Sequence, residues 1–481
     1  MKRLIVIVFI VFGSFLTLCL YRTYAYNTTV VEDTPTTTDL EYTFKIGNSS
    51  IKEITINSGE TRYYDVVMGN LNNAKISYSI YYEMVSPSTK PDGFSIEYTS
   101  KSTGDSTGKV DKNGNIILNI VVTNTSSSSA TVKLGSIAGY VNGGELLLGS
   151  GQELIPKLTA SKFIMSLDDG TTGDSGSGVY KVTHEAISAS NSATGSTIPA
   201  TTDYRYYGAS PNNYICLDME EQSACPDKHL YRIIGSIYEE NAGQNLLKVI
   251  KAKYLTDGTT SEFSWNYPFS GDSVNNNIWA SVTNGNYSNS LTSGSQLMKL
   301  LNSGAWWNGT SDSYYNWRAT TTVNFTNYKL SDKAKSYVTT SRYYLGEYNT
   351  ASNVLTNQFY SYERGVTRYD TSRPLYWDGN VGLMYPSDYG YASGYTCVTE
   401  VSLSDYSGVC QNKNWLNDGM YKWLITPNSG SSNGIFIFDA IGIIGKNSVD
   451  SSFMVFPTFY LKPTTSISSG DGSSSNPYII Q

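Results

Sequence analysis

The strongest pattern in the chain is a period of two. Ile76, Tyr78, Ile80 and Tyr82 alternate with Lys75, Ser77, Ser79 and Tyr81, which is how a strand with one buried face reads. Comparable runs occupy residues 41–46, 51–56, 63–68, 94–98, 115–122 and 130–140. Turn-forming residues separate them: Asn57-Ser58-Gly59, Gly69-Asn70, Lys112-Asn113-Gly114 and the serines of 126–129. Seven or so strands in about 115 residues predict an all-β sandwich of Ig-like or jelly-roll type over residues 40–158.

The alternation then stops. Residues 159–178 include the stretch SLDDGTTGDSGSG, whose composition predicts a flexible Gly/Ser/Asp-rich linker. Beyond it, residues 179–481 mix two periodicities and predict an α+β domain. LYRIIGSIYEE (230–240) and NLLKVIKAKYL (245–255) read as a hairpin around Asn241-Ala242-Gly243-Gln244. SGSQLMKLL (293–301) places Leu297, Leu300 and Leu301 on one face of a short helix capped by Ser293. A second helix is expected over 331–340, capped by Ser331. After Gly346 no helical period is visible, so long ordered loops and short strands are expected. GIFIFDAIGIIG and FMVFPTFYLKP are the final strong strands, and residues 477–480 the last one.

The N-terminus changes the picture most. Lys2 and Arg3 precede an apolar run from Leu4 to Leu20, followed by Thr23-Tyr24-Ala25. This is the layout of a secretory signal peptide over residues 1–25. An uncleaved anchor is the alternative, because a run of about 17 residues nears the minimum for a spanning helix. Leu18 is too bulky for the position before a lipidated Cys19. Residues 26–39 (YNTTVVEDTPTTTD) form a polar linker. Membrane contact is then confined to the N-terminal segment.

Export bears on the cysteines. Apart from Cys19, the chain has Cys216, Cys225, Cys397 and Cys410, an even set in an oxidising compartment. The expected bridges are Cys216–Cys225 and Cys397–Cys410. Zinc is the rival reading, but neither pair has C-x2-C spacing and His229 is the one imidazole nearby. No Lys, Arg or His lies between Cys397 and Cys410 to lower a thiol pKa.

Composition supports exposed β-structure. Charged residues make up 16 %, against about 25 % in ordinary soluble domains, and the 481 residues include 40 Tyr and two His. The net charge of −7 leaves no basic footprint and argues against nucleic acid. Ser–His catalysis has little to work with: His184 is expected on a strand surface, His229 follows a cysteine loop, and neither has a G-x-S-x-G elbow beside it. Glu239, Glu240, Glu363 and Asp388 are carboxylates of the type used in glycoside hydrolysis. Glu363-Arg364 reads better as an internal ion pair or loop anchor. The expectation is therefore a protein that is not an enzyme.

Binding is the better expectation. Trp306, Trp307, Trp317, Trp377, Trp415 and Trp423 lie among Asn, Asp and Ser, as sugar-stacking rings do. For any single one of them the core is the favoured reading, since large aromatics carry much of a loop-rich domain's burial. Trp306, Trp307, Trp377 and Trp415, with Asn417 and Asp418, are the candidate ligand residues. Asn417 and Asp418 are also a candidate calcium pair; no other cofactor is expected. Ser469-Gly470-Asp471-Gly472-Ser473 more simply turns the chain into its last strand.

Two resemblances add to this. YYDVVMGNLNNAKISYSIYYE and GKVDKNGNIILNIVVTNTSSSSATVKLGSIAGYV resemble exported matrix domains of the TasA/camelysin type over about residues 1–150, which implies a surface or biofilm-matrix role with strand-mediated self-assembly. GVYKVTHE, DYRYYGASPNNYICLD, CPDKHLYRIIGSI, SRYYLGE, YSYERG, VGLMYPSDYGYA, WLITP and PTFYLKPTTSISSGDGSSSNPYII resemble a family of exported, uncharacterised Firmicutes domains. More distantly they are similar to the C-type-lectin-like and formylglycine-generating superfamily. The second resemblance implies a C-type-lectin-like fold; fold alone does not carry function. Together the readings give a multidomain, extracellular or cell-surface protein of a Gram-positive-type bacterium with a structural or adhesive role. It would present a domain that binds a surface glycan or protein. A polysaccharide-acting enzyme and a purely structural matrix or fibre subunit are the alternatives.

Overall fold

The computed structural model describes residues 42–46, 53–100, 108–140, 147–168, 170–171, 173, 176–219, 224–267, 276–280, 294–406 and 408–480. The expected signal peptide or anchor, Cys19 and the polar linker 26–39 lie outside the described residues. The chain is β-rich and divides into two compact units, one up to Leu158 with Ser466–Ser469, the other Thr159–Thr465 with Gly470–Ile480. Among the described residues no helix is long and apolar enough to cross a membrane.

In the first unit the alternating runs form two antiparallel sheets. One has the order Tyr42–Ile46, Glu60–Asn70, Asn115–Asn124, Phe94–Ser100. The other has Glu53–Ile56, Ala130–Tyr140, Ile76–Ser86 and Lys109–Val110, with Gln152–Leu154 also on Ile76–Ser86. Alternation buries Val66, Met68, Leu118, Ile120 and Val122 of the first against Ile76, Ile80, Val132 and Leu134 of the second in a single core. Tyr81 points to the opposite face and is still buried, because it lies over Gly135, where a Cβ would stand 2.3 Å from its ring.

Two buried asparagines carry the chain from sheet to sheet in the same way. Asn70 ends Glu60–Asn70; its Nδ2 donates to Ala74 O at 2.8 Å and its Oδ1 accepts Asn72 N at 2.9 Å. Asn124 ends Asn115–Asn124; its Nδ2 donates to Ser128 O at 2.8 Å and its Oδ1 accepts Ser126 N at 3.1 Å. Each amide satisfies a turn two and four residues on, a local bond pattern open to Asn side chains.

The second unit begins earlier than the composition predicts. Ala160–Met165 is a helix capped by Thr159, and Ser161 Oγ bonds Ser236 Oγ at 2.7 Å and Asn245 O at 2.8 Å. Residues 159–165 are therefore not linker. Nor does the Gly/Ser stretch run free at Thr171 and Gly173: Thr171 Oγ1 lies 3.3 Å from Tyr207 Oη, and Gly173 packs against the Tyr180 and Tyr207 rings. Small residues suit close approach as well as flexibility, and composition does not separate the two.

The central sheet of this unit runs Val338–Thr339, Thr458–Leu461, Gln244–Lys251, Leu230–Glu239, Tyr214–Cys216, Tyr478–Ile480, with Thr201–Tyr207 on Leu230–Glu239 and Gly178–His184 outside it. The predicted hairpin is its middle. A second sheet has the order Glu262–Ser264, Ser452–Met454, Lys422–Pro427, Gly434–Phe438, Ile444–Ser448. Trp423 of Lys422–Pro427 forms a buried chain with Trp265, Trp279 and Trp377, with successive ring centroids 5.8, 5.2 and 6.2 Å apart.

Helix positions differ from expectation in six places. The helix expected from Ser293 is Gln296–Asn302, capped by Ser295, whose Oγ accepts Met298 N at 3.1 Å. Leu297, Leu300 and Leu301 are buried as the pattern requires. The second helix is only Asp332–Ser336, capped by Ser331 as predicted. Four short helices stand where loops were expected: Thr356–Glu363, Pro386–Tyr391, Tyr395–Glu400 and Val409–Asn412. Their buried faces are made of Tyr, Ser, Thr, Asp and Glu as much as of aliphatic residues, so no apolar period reveals them.

Candidate functional site

Both expected disulfides are present: Cys216–Cys225, with Cα atoms 5.9 Å apart, and Cys397–Cys410, with Cα atoms 5.7 Å apart. The candidate sugar platforms are placed otherwise. Trp306 and Trp377 are 1 % and 0 % exposed, so neither ring offers a face to a ligand. Trp415 is buried too; its indole N–H donates to Tyr206 O at 3.0 Å and Arg232 lies 4.4 Å over its ring. Trp307 is half-buried under Lys335, 5.3 Å from the ring. The core reading wins because these rings are the largest apolar bodies available to fill the unit. Asn417 and Asp418 form a turn: Asn417 Oδ1 accepts Gly419 N at 3.2 Å, and Asp418 Oδ1 lies 2.7 Å from Lys422 Nζ. With an ammonium already there, the pair is not set out for calcium. Among the described residues no group of three or more His, Cys, Asp or Glu could hold a metal ion.

Of the carboxylates singled out by type, Asp388 and Glu363 lie in a buried set of charges, while Glu239 and the half-buried Glu240 stand beside Arg342. Asp203 and Arg205 stand two apart on Thr201–Tyr207 and so share a face. Arg205 is opposite Gly235, which is opposite Lys248, which is opposite Tyr460. Gly235 has no room for a side chain, since a Cβ there would meet Tyr204 O at 2.3 Å. Arg205 and Lys248 thus flank a gap in the row, and both reach Asp388 of Pro386–Tyr391: Arg205 Nη1 to Oδ1 at 2.9 Å, Lys248 Nζ to Oδ2 at 2.6 Å. Arg205 also bonds Asp203 Oδ2 through Nε (3.1 Å) and Nη2 (2.8 Å).

His184 belongs to this network and is not on a strand surface. Its Nε2 is 2.9 Å from Asp203 Oδ2 and its ring stacks on Tyr360 at 3.6 Å. Burial lowers the imidazole pKa even against the pull of Asp203. Burial works to raise Asp203 and Asp388, but neighbouring cations overcome it, holding Asp203 well below the usual carboxylate range and lowering Asp388 as well. Glu363, under Ser387 N (3.0 Å) and Ser387 Oγ (2.6 Å) and beside Arg364 (3.3 Å), is pushed by burial up to about 7. The ion pair read from Glu363-Arg364 is there. At the edge of the network Glu239 accepts Arg342 N (2.7 Å) and Ala242 N (2.8 Å), and Arg342 grips Asp378 in a fork at 2.9 and 3.0 Å. The segments GVYKVTHE, DYRYYGAS, SRYYLGE, YSYERG, GLMYPSDYGYA and FPTFYLK supply nearly all of these side chains.

A different place is open to solvent. A groove of about 430 Å³ runs between Gln296–Asn302, Ala305–Asn308 and the hairpin Ser311–Asn316/Ala319–Asn324. Its walls include Tyr267, Gln296, Lys299, Asn308, Asp312 and Tyr314. The Gln296 amide fixes the hairpin to the helix from both sides, donating to Tyr315 O at 2.6 Å and accepting Tyr315 N at 3.3 Å. Asn302 does the same at the other end of the helix with Val381, at 2.9 Å each way. Tyr267 is 39 % exposed and stacks on Tyr315 at 5.7 Å. Burial lowers the Lys299 pKa. Tyr267 carries no sequence signal that sets it apart from the other 39 Tyr of the 40. No family model matches the chain, and no curated protein and no solved structure matches it.

Proposed function

We propose that this is an exported bacterial surface protein whose second unit binds a glycan in the groove beside Tyr267, with an adhesive or structural role. The observation that carries the reading is the groove itself. It combines a half-exposed aromatic ring, braced by a second ring, with amide, hydroxyl, ammonium and carboxylate groups at fixed positions. A few convergent polar groups fix a ligand's orientation, and an exposed tyrosine offers an apolar face with a polar tip. Two disulfides support export. The first unit is then a β-sandwich that supplies reach at the surface, in keeping with its resemblance to TasA/camelysin-type matrix domains, and the second a C-type-lectin-like α+β domain.

The enzyme reading draws less support. Glycoside hydrolysis needs two carboxylates flanking the scissile bond. Glu363 and Asp388 are buried and held by internal partners, and among the described groove-lining residues Asp312 is the carboxylate.

The test is binding of the purified full-length protein to an array of bacterial surface glycans. A glycan retained by the wild type should be released unchanged, and Tyr267→Ala should weaken its binding at least tenfold, about 1.4 kcal/mol. Silence across the array, equal binding by Tyr267→Ala, or shortened glycan chains would each sink the proposal.

A further inference from the structure

Lys248 and Asp388 stand out among the buried charges. Lys248 Nζ lies 2.6 Å from Asp388 Oδ2, with both side chains 1 % exposed and 140 residues apart in sequence. The ammonium sits between two aromatic rings, 4.5 Å from the centroid of Tyr385 and 5.5 Å from that of Tyr460. Asp388 Oδ1, the oxygen turned away from the lysine, accepts Arg205 Nη1 at 2.9 Å.

We propose that Lys248 and Asp388 become joined by an intramolecular amide between Nζ and Cγ, cross-linking the central sheet to the helix Pro386–Tyr391. The balance closes without a co-reactant. Starting from the ion pair, Nζ bonds to Cγ and the Cγ–Oδ2 bond breaks. Two of the three ammonium protons leave with Oδ2 as water, and the third stays on the amide nitrogen.

Four features of the site favour this step. The fold holds Nζ 2.6 Å from Oδ2, an atom bonded to the Cγ it must attack, and fixed proximity of this kind is worth effective concentrations of about 10⁵–10⁸ M. Arg205 is aimed at the oxygen on which charge gathers when nitrogen adds to Cγ, as a preformed donor should be. Burial depresses the Lys248 pKa, with Arg205 and Arg364 pushing the same way, so the ammonium gives up its protons more readily than that of an exposed lysine. Asp388 starts as a carboxylate under its two cations; forming the amide replaces two desolvated charges with a neutral group, removing a cost that is large in an interior. The bond has to form only once per molecule, and the shielded position keeps water from reversing it.

The cross-link suits a protein displayed outside the cell, although it does not depend on the glycan reading. It would close a loop far longer than either disulfide, whose cysteines are 9 and 13 residues apart, and reductants would leave it intact.

Intact mass spectrometry of the reduced full-length protein, with peptide mapping, tests the proposal. The expected result is a mass lower than the sequence requires by one water, with a branched peptide joining the segments of Lys248 and Asp388. Lys248→Arg keeps the cation and cannot form the bond, so its mass should show no deficit. A wild-type mass with no water missing and separate, linear Lys248 and Asp388 peptides would overturn the proposal. So would a deficit that persists in Lys248→Arg.

Discussion

The two units solve the same problem with different materials. The first buries aliphatic side chains from two sheets against one another, and its two most buried amides, Asn70 and Asn124, sit where the chain passes between the sheets. The second places His184, Asp203, Arg205, Lys248, Glu363, Arg364 and Asp388 in its interior, ringed by Tyr180, Tyr360, Tyr385, Tyr391 and Tyr460. An aliphatic core tolerates local repacking, whereas a charged one fails when a single partner is lost. Removing one member leaves the others desolvated without compensation. The contrast predicts where each unit is brittle.

The largest effect should come from Arg205→Met. It leaves Asp203 and Asp388 buried without the guanidinium that spans them, and breaking a buried pair in this way costs about 3–5 kcal/mol. Denaturant unfolding should show the transition of the second unit moving to lower denaturant, with that of the first unit unmoved. An unchanged second transition would mean that the network does not hold this unit together.

Glu363→Gln should sharpen the comparison through pH. The Glu363 carboxyl titrates at about 7 in the folded chain against an ordinary value of 4.5. The folded state therefore binds a proton that the unfolded state has already released between those values. Stability from this group is fully present below pH 4.5 and lost as pH rises through the window. At about 1.4 kcal/mol per pKa unit the loss is roughly 3 kcal/mol. Glutamine should lift the variant above wild type by that order at pH 8, with the gap closing toward pH 4.5. His184 runs the other way: with its folded pKa lowered from 6.5, its share of stability is present above 6.5 and falls as pH drops. The glutamine variant should accordingly keep only the His184 limb, with stability falling as pH drops, while the wild type also carries the opposing loss from Glu363 as pH rises. Parallel profiles would place the proton elsewhere.

How much of this was legible follows the same division. The strands of the first unit could be read because burial there follows position parity, which survives in the sequence as Ile-Ser-Tyr-Ser-Ile. The disulfides were legible from export and local pairing. The hairpin 230–251 and the serine cap at Ser331 were legible as well, being set by neighbours in the chain. The network was not. Asp388 meets Arg205 across 183 residues and Lys248 across 140, and a carboxylate in a Tyr-rich segment looks the same whether it faces solvent or a buried arginine. Glu363-Arg364 was the exception, because its partners are adjacent. The tryptophans were legible as core in the main, but not which of them would stay exposed, as Trp317 does. A ring among Asn and Ser can stack on a sugar or fill a core, and only the fold decides which. The groove escaped because its ring, Tyr267, and its braces, Gln296 and Tyr315, come from three separate segments with no shared motif.

The smallest effect tests whether the first unit is as locally determined as it looks. Asn124→Ala removes an amide whose Nδ2 serves Ile56 O at 3.0 Å and Ser128 O at 2.8 Å, and whose Oδ1 holds Ser126 N at 3.1 Å. The Ile56 and Ser128 carbonyls lose their donor, and groups left unsatisfied in a buried setting cost about 1–3 kcal/mol. Asn70→Ala should cost a similar amount, since Asn70 forms the same bonds at the equivalent crossover. The two sites lie in different turns and share no partner, so the double variant should lose the sum of the two, as independent sites do. Chemical denaturation of the three variants checks this. Strong non-additivity would show that the two crossovers form one cooperative element, and the first unit would then be less locally built than its alternating sequence suggests.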